Sequence, residues 1–366
     1  MTESSGALLT TENNKPLYLP VDTLVAAPVP PVKVPSGQEL RRNWWTTTGT
    51  GSSDLRIVQV AVLRTPSQGL ELEVLRTVVQ TFRPGSTTPD TDHTIPGFEV
   101  HEHELESIAG NAAGKIAVSW NVGDKGDGCQ RTCVTTVLDP TSTRAITPPV
   151  QGEQLAFDTD RLVIKHQEQL GRYCVNVTAR AVDTLAEQWR YDPRTELDTD
   201  NCSARALNQA RDNRTTWPFV VIETRTGWHP LSVVTGRPTR PAFTGAHRVA
   251  LDPMADLLLV HSGISNDSPA LEVFDTTTWT SVFTLSTADA GALGAETNPA
   301  TLIGGHLYVI TKDGRTVTDV RARKTLSQDY RNKPTEALNG RWVLVEAGGY
   351  KDLYPLVNGR YEGPWF

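Results

Sequence analysis

Between Leu257 and Leu285 the chain reads LLLVHSGISNDSPALEVFDTTTWTSVFTL: an unbroken apolar run, a polar loop, an alternating run, an Asp-Thr turn and a second alternating run. A short apolar run bounded by Asp256 on one side and Ser262-Gly263 on the other suits a strand buried on both faces. In the next run Leu271 and Val273 point one way and Glu272 and Phe274 the other, the period of two that a strand requires. Asp275-Thr-Thr-Thr then forms a tight turn, because Asp and Thr side chains can bond the local backbone. A third strand is expected to carry Trp279, Ser281, Phe283 and Leu285 on one face and Thr280, Val282 and Thr284 on the other. The stretch predicts three strands of an antiparallel meander.

The same opening recurs. Apolar runs begin at Ile57, Ile116, Leu162, Val220, Leu257, Leu307 and Trp342, with successive spacings of 59, 46, 58, 37, 50 and 35 residues. The mean, about 47, falls where a four-stranded propeller blade of roughly 40 to 50 residues would put it. Asp139, Asp183 and Asp275 each follow an apolar strand, and Lys312-Asp313-Gly314 is a strong hairpin signal. The predicted fold is all-β, a β-propeller of seven blades, each a four-stranded antiparallel sheet. The physical reason for such repetition is that one small sheet leaves much of its surface and its edges exposed, whereas sheets packed face to face around an axis bury both faces. Trp189, Trp279 and Trp342 are then expected as anchors between neighbouring blades.

Upstream of the first run, residues 1–40 are rich in Pro, Thr, Ser and Asn, and VAAPVPPVKVP resembles a polyproline spacer. They are read as a flexible arm, suited to tethering, with residues 41–366 as a single propeller domain. The arm lacks the basic start, apolar core and cleavage site of a signal peptide.

Four sequence stretches, GKIAVSW, LDPTSTRAI, AVDTLAEQWRYD and HRVALDPMADLLLVHSG, resemble the repeats of quinoprotein-like β-propellers, a superfamily that includes the YVTN and WD40-like repeats. Blades of that superfamily tend to end in a short Ala-x-Asp, Thr-Gly, Trp pattern; the resemblance spans about residues 50 to 366 and is loose, since most repeats here miss the Gly or the Trp. It implies a propeller. It would also imply an alcohol or sugar dehydrogenase holding pyrroloquinoline quinone and calcium, but the pair of adjacent Cys that many such enzymes close over the cofactor does not occur here. No organic cofactor is therefore expected, and calcium is the one metal for which the resemblance leaves room.

Composition narrows the partners. The 366 residues carry a formal charge of -7 and no run of Lys and Arg beyond Arg41-Arg42, so nucleic acid is not expected. Nothing approaches about 18 consecutive apolar residues, so no membrane-spanning helix is expected. Arg-rich basic usage with two Met suggests a high-GC, actinobacterial type of source. The four Cys, at 129, 133, 174 and 202, do not have zinc-ribbon spacing. They are read as two disulfides, Cys129 with Cys133 and Cys174 with Cys202, the alternative being four reduced thiols. Disulfides would place the protein outside the cytoplasm, which the N-terminus reconciles only if a leader or anchor has been removed.

Candidate chemistry is sparse. In HEHELE, His101 and His103 would share one strand face and could contribute to a metal site, with His93 or a distant His as third ligand, against the alternative of a solvated strand edge. GDKGDG at 123–128 and DTDN at 198–201 read as acidic turns; the first lacks the ligand spacing of an EF-hand. No G-x-S-x-G nucleophile motif occurs. Asn176 and Asn213 stand in N-x-T sequons. The expected role is a non-enzymatic, extracytoplasmic propeller that binds a protein or an envelope glycan through its loops. One alternative is a hydrolase or lyase acting on a sugar or lactone at the axis, with acids such as Asp54, Asp252 and Asp256 lining the funnel. Another is a cytoplasmic scaffold of the WD kind.

Overall fold

The computed structural model describes the chain except residues 1, 5, 13–14, 68–72, 95–104, 123–132, 143–148, 170–172, 193–204, 207–217, 225–226, 241, 244–245, 253, 263–270, 287–288, 290–299, 312–313, 329–332, 339, 348–349 and 362–366. Among the described residues regular structure is entirely β and forms eight sheets, each a meander of consecutive antiparallel strands. The first sheet is β1 (Thr2–Ser4), β2 (Ala7–Glu12), β3 (Lys15–Pro20) and β4 (Ala27–Pro28); the second is β5 (Glu39–Thr48), β6 (Arg56–Thr65), β7 (Val74–Phe82) and β8 (Thr91–Thr94). The third is β9 (Leu105–Gly110), β10 (Ile116–Asn121), β11 (Cys133–Leu138) and β12 (Val150–Gln151); the fourth is β13 (Glu153–Phe157), β14 (Arg161–Gln169), β15 (Tyr173–Ala181) and β16 (Glu187–Tyr191). The fifth has three strands, β17 (Arg205–Ala206), β18 (Phe219–Thr224) and β19 (Gly227–Ser232), with single bridges Leu231↔Pro238 and Trp228↔Phe243 bringing the chain back along β19. The sixth is β20 (Ala246–Asp252), β21 (Leu257–Ser262), β22 (Leu271–Asp275) and β23 (Ser281–Leu285); the seventh is β24 (Ala300–Ile303), β25 (His306–Thr311), β26 (Gly314–Asp319) and β27 (Lys324–Gln328); the eighth is β28 (Lys333–Leu338), β29 (Trp342–Ala347), β30 (Tyr350–Val357) and β31 (Arg360–Tyr361).

These are the blades of a β-propeller. The chain divides into two compact units, residues 1–225 with 229–239 and residues 226–228 with 240–366. Within the first, β1, β5, β9 and β13 adjoin one another in turn; within the second, β20, β24 and β28 do so. Within each unit the first strands of successive sheets therefore lie side by side. All seven apolar runs read from the sequence fall on the second strand of a sheet, where side chains of both faces are covered. In β10, Ile116–Asn121, every residue is buried.

Packing between sheets follows. Val58, Val60 and Val79 of the second sheet meet Ile116, Val118, Trp120 and Leu138 of the third. Opposite faces of the third sheet, Ala109, Ala117 and Val137, meet Phe157, Leu162 and Ile164 of the fourth. Each Val, Leu, Ile or Phe among them contributes about 1.5–3 kcal/mol when withdrawn from water. Polar groups inside are bonded in chains: Gln154 N donates to Ser119 Oγ (3.2 Å), Ser119 to Thr135 Oγ1 (2.7 Å) and Thr135 to Gly152 O (2.6 Å), joining third and fourth sheets.

The expected arm over residues 1–40 is corrected by this structure. Residues 2–28 are the first sheet, and Ala7, Leu9, Tyr18 and Val29 pack on Leu55, Ile57 and Phe82 of the second, so these apolar side chains find a partner that a free arm would lack. The Pro-rich stretch that follows is a strap. Val32 and Val34 cover Ala61, Leu63 and Val78. Prolines leave the strap unable to pair as a strand, and two glutamines, both fully buried and opposite one another on β6 and β7, bond its backbone instead. Lys33 N donates to Gln80 Oε1 (2.9 Å), Gln80 Nε2 donates to Lys33 O (2.8 Å), and Gln59 Nε2 donates to Pro30 O.

Turns between third and fourth strands share one geometry. Val21-Asp-Thr-Leu24 and Val182-Asp-Thr-Leu185 are identical in sequence, and Leu24 and Leu185 both adopt left-handed backbone, φ 52° and 51°. Leu24 N bonds Pro20 O and Leu185 N bonds Ala181 O, each at 2.8 Å. Such a backbone costs a non-glycine residue about 1–3 kcal/mol; Leu185 offsets it by burying its side chain against the third sheet. Trp279, expected in a strand, occupies the equivalent turn position, φ 56°, its N bonded to Asp275 O. Gly236 (φ 67°) ends the corresponding turn of the fifth sheet, and a Cβ there would stand 2.4 Å from the Trp189 ring. Gly236→Ala is predicted to lower stability by about 2 kcal/mol or more, through backbone strain and collision together. Gly37→Ala (φ 80°), with nothing within 4 Å of the new methyl, should cost about half as much; urea unfolding of both variants checks the difference.

Candidate functional site

Two sheets with twisted edges leave space where their turns diverge. In the first unit a cleft of about 420 Å³ opens between the second and third sheets, lined by residues from the β5–β6, β7–β8, β9–β10 and β11–β12 connections and the strand ends beside them. Its charged groups are Asp54, Arg56, Arg83 and Asp90; its walls are hydroxyl-bearing (Thr48, Thr81, Thr91, Thr141) and small or apolar (Ala112, Ala113, Pro140).

Each group has a defined position. Asp90 Oδ2 accepts from Arg83 Nε at 3.1 Å and stands 3.9 Å from Arg56 Nε. Arg56 is also held by its own turn, NH1 donating to Leu55 O at 2.8 Å. Asp54 is occupied locally: Thr50 N, Thr50 Oγ1 and Gly51 N all donate to it at 2.9–3.0 Å. Burial opposes its ionisation, but these bonds prevail and hold its carboxyl below the usual range. On the inner wall Thr91 Oγ1 donates to Pro140 O (2.9 Å) and is bonded to Thr81 Oγ1 (2.6 Å), which ties the second sheet to the third. With side-chain exposures of 69% for Arg83 and 32% for Asp90, their ion pair adds about 0–1 kcal/mol to folding. A pair that contributes so little to stability is open to rearrangement around a ligand.

Other carboxylates serve as turn caps. Asp22 accepts from Ser52 N (2.9 Å) and Ser52 Oγ (2.6 Å) of the second sheet, and those bonds hold it below its usual range. Asp183 pairs with Lys115 of the third sheet. Asp252, fully buried, accepts from Gly305 N (2.7 Å) and Met254 N (3.2 Å). Asp256 has left-handed backbone (φ 51°), and its carbonyl accepts from Thr276 N at 2.8 Å. Burial pushes His229 below its usual value, and burial likewise raises Tyr308 and Tyr361 to about 12.

The residues singled out in the sequence lie elsewhere. Trp189 donates its indole N–H to Val233 O (2.9 Å) and packs against the core shared by the fourth and fifth sheets. The Trp279 ring lies 6.3 Å from Phe243, and with Phe243 and Phe274 it surrounds the Arg240 guanidinium. Trp342 begins β29, half-buried. Cys133 is buried and disulfide-bonded; Cys129, Cys202 and the side chain of Cys174 are outside what the structure describes. So are His101, His103, the two acidic turns and Asn213. His93 lies on β8, and among the described residues no three His, Cys, Asp or Glu converge as a metal site. Asn176 is buried within β15, closed to a glycan. No helix among the described residues is long and apolar enough to cross a membrane.

No protein-family model matches the chain, and no curated protein matches it. Solved structures similar to it are β-propellers. The quinohemoprotein alcohol dehydrogenase of Comamonas testosteroni is 10% identical, with a TM-score of 0.42, over 100% of this chain and 75% of that one. The β-propeller domain of the Trilobed protease from Pyrococcus furiosus is 9% identical, TM-score 0.39, over 86% and 95%. The Neurospora crassa Pan2 WD40 domain is 11% identical, TM-score 0.35, over 78% and 82%. The fold rests on the sheets described above.

Asp275 supplies a pH test. Its Oδ1 accepts from Thr277 N (2.9 Å) and Thr278 N (3.0 Å), and Oδ2 pairs with Arg321 of the next sheet at 2.8 Å. The Thr278 bond, followed by the Arg321 contact, outweighs burial and lowers its pKa below 3.8. With the folded value depressed, the stabilisation is complete above the unfolded value and is lost as pH falls through the folded one. Asp275→Asn is therefore predicted to cost about 1.5–3 kcal/mol at pH 7, with the difference from the unaltered protein shrinking below pH 3.8, as read by denaturant unfolding at the two pH values.

Proposed function

We propose that the chain is a non-enzymatic binding propeller, working outside the cytoplasm, that holds a protein or an envelope component through the turns at the ends of its sheets. The observation that carries this is the use of its carboxylates. Asp54 and Asp275 are held below the usual carboxylate range chiefly by hydrogen bonds of their own turns and Asp22 by hydrogen bonds from Ser52 of the neighbouring sheet, whereas general acid–base catalysis at neutral pH favours groups tuned toward neutrality. The described carboxylates Asp54, Asp252 and Asp256, candidates for an axial catalytic site, belong to turns that they cap or shape.

The bonded state of Cys133 supports an oxidising compartment. The proposal includes the pairs Cys129 with Cys133 and Cys174 with Cys202, a bacterial source and a quinoprotein-like ancestry without the quinone. Alkylation under denaturing, non-reducing conditions, followed by mass spectrometry, is expected to label none of the four Cys; labelling of all four would overturn the location. The role itself is tested with isolated envelope fragments. The protein should sediment with them and release no soluble product, and turnover of envelope polysaccharide would overturn the non-enzymatic reading.

A further inference from the structure

We infer that the cleft between the second and third sheets is a glycan site that reads two neighbouring hydroxyls of a neutral hexose through Asp90 and Arg83. This rests on the binding role proposed above and names its ligand.

Charge is the first argument. Among the described residues that line it, Asp54 and Asp90 balance Arg56 and Arg83, so this lining carries no net charge with which to attract phosphate or a metal ion. It offers donors and acceptors side by side. Asp90 uses Oδ2 for Arg83 Nε; its Oδ1 and the two terminal nitrogens of Arg83 take part in no bond among the described residues. A carboxylate only accepts and a guanidinium only donates, while each sugar hydroxyl does both. A vicinal diol can therefore donate to Asp90 Oδ1 and accept from Arg83, leaving the ion pair in place. Asp54 cannot compete for the arginines, since its own turn engages it.

Shape agrees. About 420 Å³ lies within the usual range of small-ligand sites, roughly 300–1,000 Å³. Apolar lining comes from Ala112, Ala113 and Pro140, shallow surfaces that suit the C–H face of a sugar ring. None of the described lining residues is a large apolar side chain of the kind that anchors a peptide's aromatic or branched residue, which disfavours a peptide occupant. Arg56, fixed by its bond to Leu55 O, adds a second positive charge 3.9 Å from Asp90 Oδ2.

Titration calorimetry with methyl glucoside, methyl galactoside and methyl mannoside tests this, together with an oligoglutamate peptide and inorganic phosphate. At least one hexoside should bind, and Asp90→Ala and Arg83→Ala should each weaken it about tenfold or more, whereas Arg237→Ala, outside the cleft, should not. Arg83 is largely exposed and its side chain has one partner among the described residues, so its variant should keep the melting midpoint of the unaltered protein and remain interpretable if Asp90→Ala does not fold. Three results would overturn the inference: no hexoside binds, a hexoside binds with equal strength to both variants, or oligoglutamate or phosphate binds instead and is lost with Arg83. Envelope sedimentation separates the two readings: if it persists while no hexoside binds, the glycan site fails and the binding role stands.

Discussion

Face-to-face burial of small sheets is the constraint on which the other features depend. A four-stranded meander with apolar residues on both faces cannot be stable alone in water, and each sheet here supplies the missing cover for its neighbour. The most apolar strand is the second, flanked on both sides within its own sheet and covered on both faces. Val58 and Val60 thus meet the third sheet while Ile57 meets the first. Because side chains alternate along a strand, a slip of one residue would exchange these two sets and mismatch both interfaces at once.

Electrostatics refine that packing. Turn carboxylates satisfy backbone N–H groups that the sharp reversal leaves unpaired, and several reach a neighbouring sheet: Asp22 to Ser52, Asp183 to Lys115, Asp275 to Arg321. For Asp22 and Asp275 the same bonds that make them good latches hold the carboxyl below its usual range. Near the cleft Asp54 follows this pattern, whereas Asp90 is half-exposed, is shared by two arginines and retains an oxygen for another partner.

Much of the fold was legible because burial on both faces writes itself as an uninterrupted apolar run. All seven runs, from Ile57 to Trp342, coincide with second strands. The first sheet escaped because Ala7–Glu12 mixes Leu with Thr and Glu, and the prolines after it resembled a spacer. Its signal was nevertheless present: VDTL at 21–24 repeats VDTL at 182–185, the turn that closes a blade. Trp279 was misplaced because nothing in its identity announces a left-handed turn. The cleft was not legible, since Arg56 begins β6 while Arg83 and Asp90 lie in the β7–β8 connection, and only the pairing of β6 with β7 and the packing of the third sheet beside them bring these groups to one place.

If interlocking sheets hold the fold from its first residues, the N-terminal sheet must be as much a part of it as the next. Hydrogen exchange tests this most directly. Backbone amides of β2 and β3, Ala7–Glu12 and Lys15–Pro20, are predicted to exchange slowly, together with those of β6, and to lose protection in the same cooperative step under denaturant. Rapid exchange across residues 2–28 while β6 stays protected would mean that the segment is an arm after all, and would contradict the account.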